Sequence, residues 1–408
     1  MSALSYPPPS VNASERVAAI LARLPALAEE IGRGAAERDL ARELPFAIFR
    51  RIREEGIGTL RIPERLGGPG GSIADVIHAL SVLATGDSNV AHALRSHFHF
   101  SETLRLAPDL LARSDDARLI LEGFLFGGGH TELGTARPGE VTALLAKAPR
   151  GYRLNGRKYY TTGSAFADFL SISAVNEQGE PVQVRLPVGR PGVEILDDWD
   201  GMGQRLTASG GIELSNVEVG EDEFILVARG GPASRHVATF RQLVLMACQA
   251  GSVRSLLAEA IDYTRKQARP ITHSHAETAR EDLFVQRQVG ELAAISHTID
   301  VLIADAAATL DRSAAALLGG DPGSDRIITE SAISVARAQI VLGPLALQAA
   351  EGIFNVGGAS ATSRRRNFDR HWRNIRTIMS HNPLFYKEQV VGDYLLNGTL
   401  PPNEGGFF

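Results

Sequence analysis

A single cysteine stands in the 408 residues, Cys248 in the apolar run LVLMACQAG. One thiol cannot form an intrachain disulfide, and this one reads as a packed side chain in a reducing compartment. No stretch approaches the ~20 consecutive apolar residues of a membrane span, and MSALSYPPPSVNASERV at the start has neither a basic n-region nor an apolar h-segment. The expectation is a cytoplasmic protein with no membrane role. Charge of one sign is also missing: the net value is −5 with acids and bases interspersed, which leaves no footprint for nucleic acid. No G-x-G-x-x-G follows a strand-like run, so no nicotinamide site is expected. His97 and His99 lack the carboxylates or third histidine of a metal centre, and no metal is expected.

The hydrophobic share, 44%, is enough for a large core. Residues 14–123 read as a helical domain. There ERVAAILARLPALAEEIGRGAAERD has amphipathic helical spacing, IPERLGGPGGS breaks the helices, and Asp87-Ser88 is a plausible cap between two of them. Residues 124–228 change to short β-branched and aromatic runs punctuated by Asn-Gly, Gln-Gly and Pro-Gly, the pattern of a small β domain. From 229 to 397 long helical periods return, as in an antiparallel bundle, and 398–408 form a tail.

In this order, IPERLGGPGGS, YRLNGRKYYTTGSAFADFL, AIDYTRKQARP and VGGASA resemble the acyl-CoA dehydrogenase superfamily over nearly the whole chain. The resemblance implies a mainly α fold with a central β domain: an N-terminal helical domain, a small β-barrel or sandwich and a C-terminal four-helix bundle. Where such dehydrogenases carry the glutamate that removes the thioester α-proton, this chain reads IMSHNP, with no carboxylate. Around it, NFDRHWRNIRTIMSHNPLFYK resembles the flavin-dependent monooxygenase branch of the dibenzothiophene monooxygenase type.

That likeness implies a two-component enzyme that takes reduced FMN, with FAD possible, from a separate NAD(P)H:flavin reductase. With O2 it forms a C4a-hydroperoxyflavin and oxygenates a small organosulfur compound such as a thioether, sulfoxide or sulfone. The alternatives are N-oxygenation by the same chemistry, or an FAD-dependent acyl-CoA dehydrogenase with its base moved to Glu132 or Glu351. A homotetramer is expected, because AISVARAQIVLGPLALQAAEGIF is apolar on more faces than one chain can cover.

Site residues follow from the same resemblance. His92, Thr162 and His381 are the expected catalytic residues, His381 donating a hydrogen bond to the peroxide. His92 and His97 are expected on one helix facing the pocket, with Ser96 near the flavin. Gly129, His130, Thr131, Glu132, Leu133 and Gly134 form the loop against the flavin ring, with Gly129 where the monooxygenases carry asparagine. Lys158, Tyr159, Tyr160, Thr161 and Thr162 pass flavin N5, and Trp199 walls the site. Arg269 is expected to bind the flavin phosphate. Ala359 and Ser360 would approach from a partner subunit, Ser360 replacing an arginine that Arg364 to Arg366 could substitute.

Overall fold

Pro25 and Gly34 divide the first apolar run, which therefore forms three short helices in place of one. They are α1 (Glu15–Leu21), α2 (Leu24–Gly32) and α3 (Ala35–Ala41). Pro25 lies in the first turn of α2, where its missing N–H costs nothing, and Gly34 takes a φ of 73° before α3. The computed structural model describes residues 14–107, 113–137, 139–227 and 230–402. Phe407 and Phe408 of the expected C-terminal tail lie outside the described residues.

After α4 (Phe46–Glu54) the IPERLGGPGGS segment turns tightly, and a Cβ on Gly68 would meet the Ile62 carbonyl oxygen at 2.1 Å. Ser72 and Asp75 then form a capping box that starts α5 (Ile73–Gly86). Helices α6 (Ser88–Ala93), α7 (Arg95–Arg105) and α8 (Ser114–Leu121) complete the first region.

Among the described residues eight strands follow: β1 (Phe126–Gly129), β2 (Leu144–Lys147), β3 (Tyr152–Lys158), β4 (Phe169–Asn176), β5 (Pro181–Pro187), β6 (Val193–Ile195), β7 (Ile212–Val219) and β8 (Phe224–Leu226). They form one mixed sheet in the order β6-β7-β3-β2-β4-β5-β8, with β1 added in parallel to β4. β1 pairs with the first half of β4 and β2 with its end, so both share one edge of that strand. The sheet has its own apolar core, from Leu154, Leu170, Ile172, Val184, Leu214 and Val217 among others.

The remaining helices are α9 (Pro232–Lys266), α10 (Leu283–Leu318), α11 (Ser324–Gly352), α12 (Asp369–Met379) and α13 (Leu384–Asn397). Helices α9, α10 and α11 pack on one another, α5 lies along α9, and α12 and α13 pack on α11. The α5–α9 approach is close because Gly251 faces Ala84; a Cβ there would lie 2.3 Å from the Ala84 Cβ. By length and composition alone α9, α10 and α11 could cross a membrane. In the fold, α9 carries the buried Arg254, ion-paired to Asp300 of α10, inside the bundle.

Candidate active site

The segment 199–210 is pinned between α6 and α12, and this fixes the site. The Asn374 side-chain oxygen accepts from the Gln204 N–H at 2.6 Å, and the Leu206 N–H donates to Asn89 Oδ1 at 3.0 Å. Asp87 caps α6 by accepting from the Asn89 N–H at 2.9 Å, as its place in the sequence suggests. On α6, His92 Nδ1 lies 3.1 Å from Gln204 Oε1. Gln204 Nε2 donates to Ser88 Oγ, so its Oε1 accepts and His92 donates from Nδ1. The His92 Nε2 lone pair is then buried without a partner. Burial, followed by the charge of Arg95, lowers His92 to about 4, so its ring is neutral.

His97 does not join it. The helix breaks at Leu94 between α6 and α7, and His97 turns inward. Its Nε2 donates to the Gly58 carbonyl at 2.9 Å, and its Nδ1 accepts from the Phe126 N–H at 3.1 Å. The expectation that His92 and His97 lie on one helix facing the pocket is thus corrected: the second ties α7 to the start of β1.

The end of α12 explains the SHNP sequence. The helix closes with the His381 N–H on the Ile378 carbonyl at 3.1 Å, and Pro383, with no N–H to satisfy, starts α13. Asn382 Nδ2 donates to Gln242 Oε1 at 2.7 Å, which leaves its Oδ1 for His381 Nδ1 at 3.1 Å. His381 Nε2 in turn accepts from Arg95 Nη1 at 3.2 Å. Burial, then the charges of Arg95 and Arg241, push the imidazole well below its ordinary value. Both ring nitrogens are engaged and the ring is neutral, which corrects the expectation that His381 is the hydrogen-bond donor. The free donor is Arg95 Nη2, buried with no partner.

Facing these groups, the GHTELG loop pairs with KYYTTG through the Tyr159 N–H on the Thr131 carbonyl at 2.9 Å. Tyr160 takes a φ of 56° and sets its exposed ring edge-on to Trp199, 6.1 Å between centroids. The Trp199 indole donates to the Gln204 carbonyl at 2.8 Å, so this aromatic wall hangs on the residue that orients His92. Thr162 Oγ1 lies 2.7 Å from Ser209 Oγ, itself 2.7 Å from Thr207 Oγ1, which donates to the Gln204 carbonyl. Read from that last donor, the chain has Thr162 donating to Ser209 and keeping its lone pairs for the site. Ser96 Oγ donates to the Thr162 carbonyl at 3.3 Å. His130 Nδ1 lies 2.9 Å from Ser173 Oγ, and its ring is 5.2 Å from that of His99.

Glu132, Lys158 and Thr161 spend their side chains inside the β domain. The Glu132 carboxylate pairs with Lys158 and accepts from the Thr142 N–H at 2.8 Å and the Ala143 N–H at 3.0 Å. Burial acts to raise it, but hydrogen bonds from Lys158, Thr142 and Ala143 prevail and hold it below the ordinary carboxylate range. Thr161 Oγ1 donates to the Gly210 carbonyl at 2.8 Å. Their side chains are therefore engaged with neighbouring protein groups. Gly129 also has a local reason: a Cβ there would lie 2.6 Å from Ile172 Cδ1, so the asparagine of the monooxygenase pattern would require the Ile172 side chain to shift.

Arg269 follows the other end of α9, and there Arg366 donates to Gln267 Oε1 at 2.6 Å and to the carbonyl of Ser360, next to Ala359, at 3.1 Å. From Arg241, beside Arg95, to Lys266 the helix rises ~38 Å at ~1.5 Å per residue. One mononucleotide cannot touch both ends within a chain. Sequence reasoning missed Arg95, Arg241, Gln204 and Ser209. The available signals were an arginine within AHALRSHFHF and another in the apolar TFRQLVLMA.

Residues 22–105 match the N-terminal domain of acyl-CoA dehydrogenases and residues 243–384 their C-terminal domain, and the chain belongs to that family. Within it, the chain is a flavin-dependent monooxygenase of the dibenzothiophene and methanesulfinate monooxygenase type. It is 30% identical to the probable FMNH2-dependent monooxygenase SfnC of Pseudomonas putida, over 96% of this chain and 98% of that one. It is also 30% identical to the dibenzothiophene monooxygenase of Rhodococcus qingshengii, over 92% of each. The solved methanesulfinate monooxygenase MsuC of Pseudomonas fluorescens superimposes with a TM-score of 0.86 at 28% identity, over 95% of this chain and 99% of that one.

Proposed function

We propose that the chain is the oxygenase of a two-component system, using reduced FMN from a separate NAD(P)H:flavin reductase and O2 to oxygenate a small organosulfur compound. One observation carries this reading: the position of a dehydrogenase's carboxylate base holds the neutral His381, bound to Arg95. Neither carboxylate considered as a relocated base serves there, since Glu132 is locked in its ion pair and Glu351 is exposed at the end of α11.

The site fits a flavin. Tyr160, Trp199 and the exposed Leu133 offer an apolar face, while the unpartnered His92 Nε2 and Arg95 Nη2 await polar atoms. The ring would be held by the 129–134 loop, Ser96, Thr162 and the aromatic wall. The phosphate would be held by Arg269 and the Ala359–Ser360 turn of a neighbouring subunit. When bound, reduced FMN supplies the two electrons that activate O2. His92 Nε2 accepts a proton or hydrogen bond at the reacting face, Arg95 Nη2 donates to developing negative charge, and the aromatic wall excludes water.

The test supplies 18O2, FMN, NADH and a flavin reductase with organosulfur candidates and follows label into product. Label in the product supports the reading; oxidation of a thioester by an artificial acceptor without O2 would overturn it. The tetramer is part of the same proposal. Leu283, Phe284 and Val301 of α10 and Leu395 and Leu396 of α13 are exposed apolar side chains in the single chain. Arg269→Ala is expected to weaken FMN binding about tenfold to 150-fold, the worth of a charged hydrogen bond. A titration that leaves the Kd unchanged returns Arg269 to its place at the end of a helix.

A further inference from the structure

Among the described residues four arginines are buried: Arg61, Arg95, Arg254 and Arg370. Three lie against a carboxylate, Arg61 on Glu102, Arg254 on Asp300 and Arg370 on Glu259. Arg95 does not. Its Nε donates to the Arg241 carbonyl at 3.1 Å, its Nη1 to His381, and its Nη2 to nothing. The half-buried Arg241 beside it has no ion-pair partner among the described residues either.

We propose that Arg95 and Arg241 are the seat of a substrate oxyanion, so that the organosulfur compound oxidised here is an alkanesulfinate and not a neutral sulfide or sulfone. This rests on the oxygenase reading above and narrows its substrate. An uncompensated buried cation is costly, and one beside a second unpaired cation is stable only when something anionic completes the site. Among the described residues the surrounding groups offer no counterion. The charges of Arg95 and Arg241 both bear on His99, His130 and His381, and all three are kept neutral, first by burial and then by those charges. Lys158, the other cation bearing on His130, already has Glu132. His92 is neutral too. Cys248, close enough to sense Arg95, is pushed up to about 12 by burial and stays a thiol.

A sulfinate meets both demands of the site. Its two oxygens suit a guanidinium fork, and its sulfur keeps a lone pair for oxygenation. In the balanced reaction, R–SO2− + FMNH2 + O2 gives R–SO3− + FMN + H2O. One oxygen atom forms the new S–O bond, and the other leaves as water with the two hydrogens of the reduced flavin. Sulfur and flavin each lose two electrons and O2 gains four. The product carries the same charge, so the arginines remain compensated throughout.

The experiment is calorimetric titration of the protein loaded with oxidised FMN, using methanesulfinate and the neutral dimethyl sulfoxide. Methanesulfinate is expected to bind at least tenfold more tightly. Arg241→Gln is expected to lose at least tenfold of that affinity while its FMN affinity, from flavin fluorescence quenching, stays as in the wild type. Arg241→Lys is expected to recover part of it. Equal binding of the neutral compound, or an Arg241→Gln variant that binds methanesulfinate normally, would overturn the anion site while leaving the oxygenase reading standing. Displacement of methanesulfinate by FMN added to flavin-free protein would assign the arginines to the flavin and also overturn it. Wild-type protein that binds no FMN would instead defeat the oxygenase reading.

Discussion

His381→Ala is expected to leave the fold and FMN affinity close to wild type while oxygen consumption turns from product to hydrogen peroxide, with coupling falling at least tenfold. His381 Nε2 accepts from Arg95 Nη1, and Asn382, itself anchored by Gln242, fixes the imidazole tautomer. Removing the ring frees the guanidinium that is positioned to stabilise developing charge, and loss of one such aligned donor costs about 10²–10³ in rate. His381→Asn, which can still present an acceptor to Arg95, is expected to recover part of the coupling. Peroxide release and product measured per O2 consumed decide the matter, and unchanged coupling in the alanine variant would remove His381 from the reaction.

The neutral histidines make this machinery acid-sensitive in a definite direction. His92 is lowered to about 4 in the folded chain from an ordinary 6.5. Between those values the unfolded chain binds a proton that the folded chain does not, so stability falls as pH falls through that window, by about 1.4 kcal/mol per unit at the steepest. Above 6.5 that contribution is fully present.

The order of helical, β and helical regions was legible because hydrophobic period changes from 3.6 to 2 and back are strong over long segments. The place of His381 was legible because Pro383 and the missing carboxylate mark the end of α12. What a period cannot show is where a helix breaks. The run through His92 and His97 has one helical spacing, yet the stop at Leu94 sends one ring to Gln204 and the other to Gly58. In the same way Pro25 and Gly34 cut an unbroken amphipathic pattern into three helices. Nor does sequence carry the tautomer of His381, which depends on Asn382, Gln242 and Arg95 meeting from three separate elements. Arg95 escaped notice because nothing local says that an arginine in a helix lacks its acid. That absence becomes visible only when every neighbour is in place.

The largest stability effect is expected from Lys158→Met, which should cost about 3–5 kcal/mol by leaving the Glu132 carboxylate buried without its cation. The hydrogen bonds from Thr142 and Ala143 remain, so the carboxylate is not wholly abandoned, but they come from neutral donors. In the wild type Glu132 is held below its ordinary range; its contribution is present at neutral pH and is lost as pH falls through the folded value. In the variant the carboxylate loses that support and protonates more readily, so the stability gap to wild type should narrow as pH falls toward the ordinary carboxylate range. Glu132→Gln added to Lys158→Met keeps an acceptor for Thr142 and Ala143 while removing the orphaned charge, and should recover much of the loss. Urea unfolding of the three proteins at neutral and mildly acidic pH measures all of this. The pair lies one residue beyond the isolated Thr131–Tyr159 bridge on both segments, so the single variant should also bind FMN less tightly, and the double variant should regain that binding with its stability. A Lys158→Met protein as stable as wild type would mean that the buried pair only occupies space, and any loss of FMN affinity would then have to come from Lys158 itself.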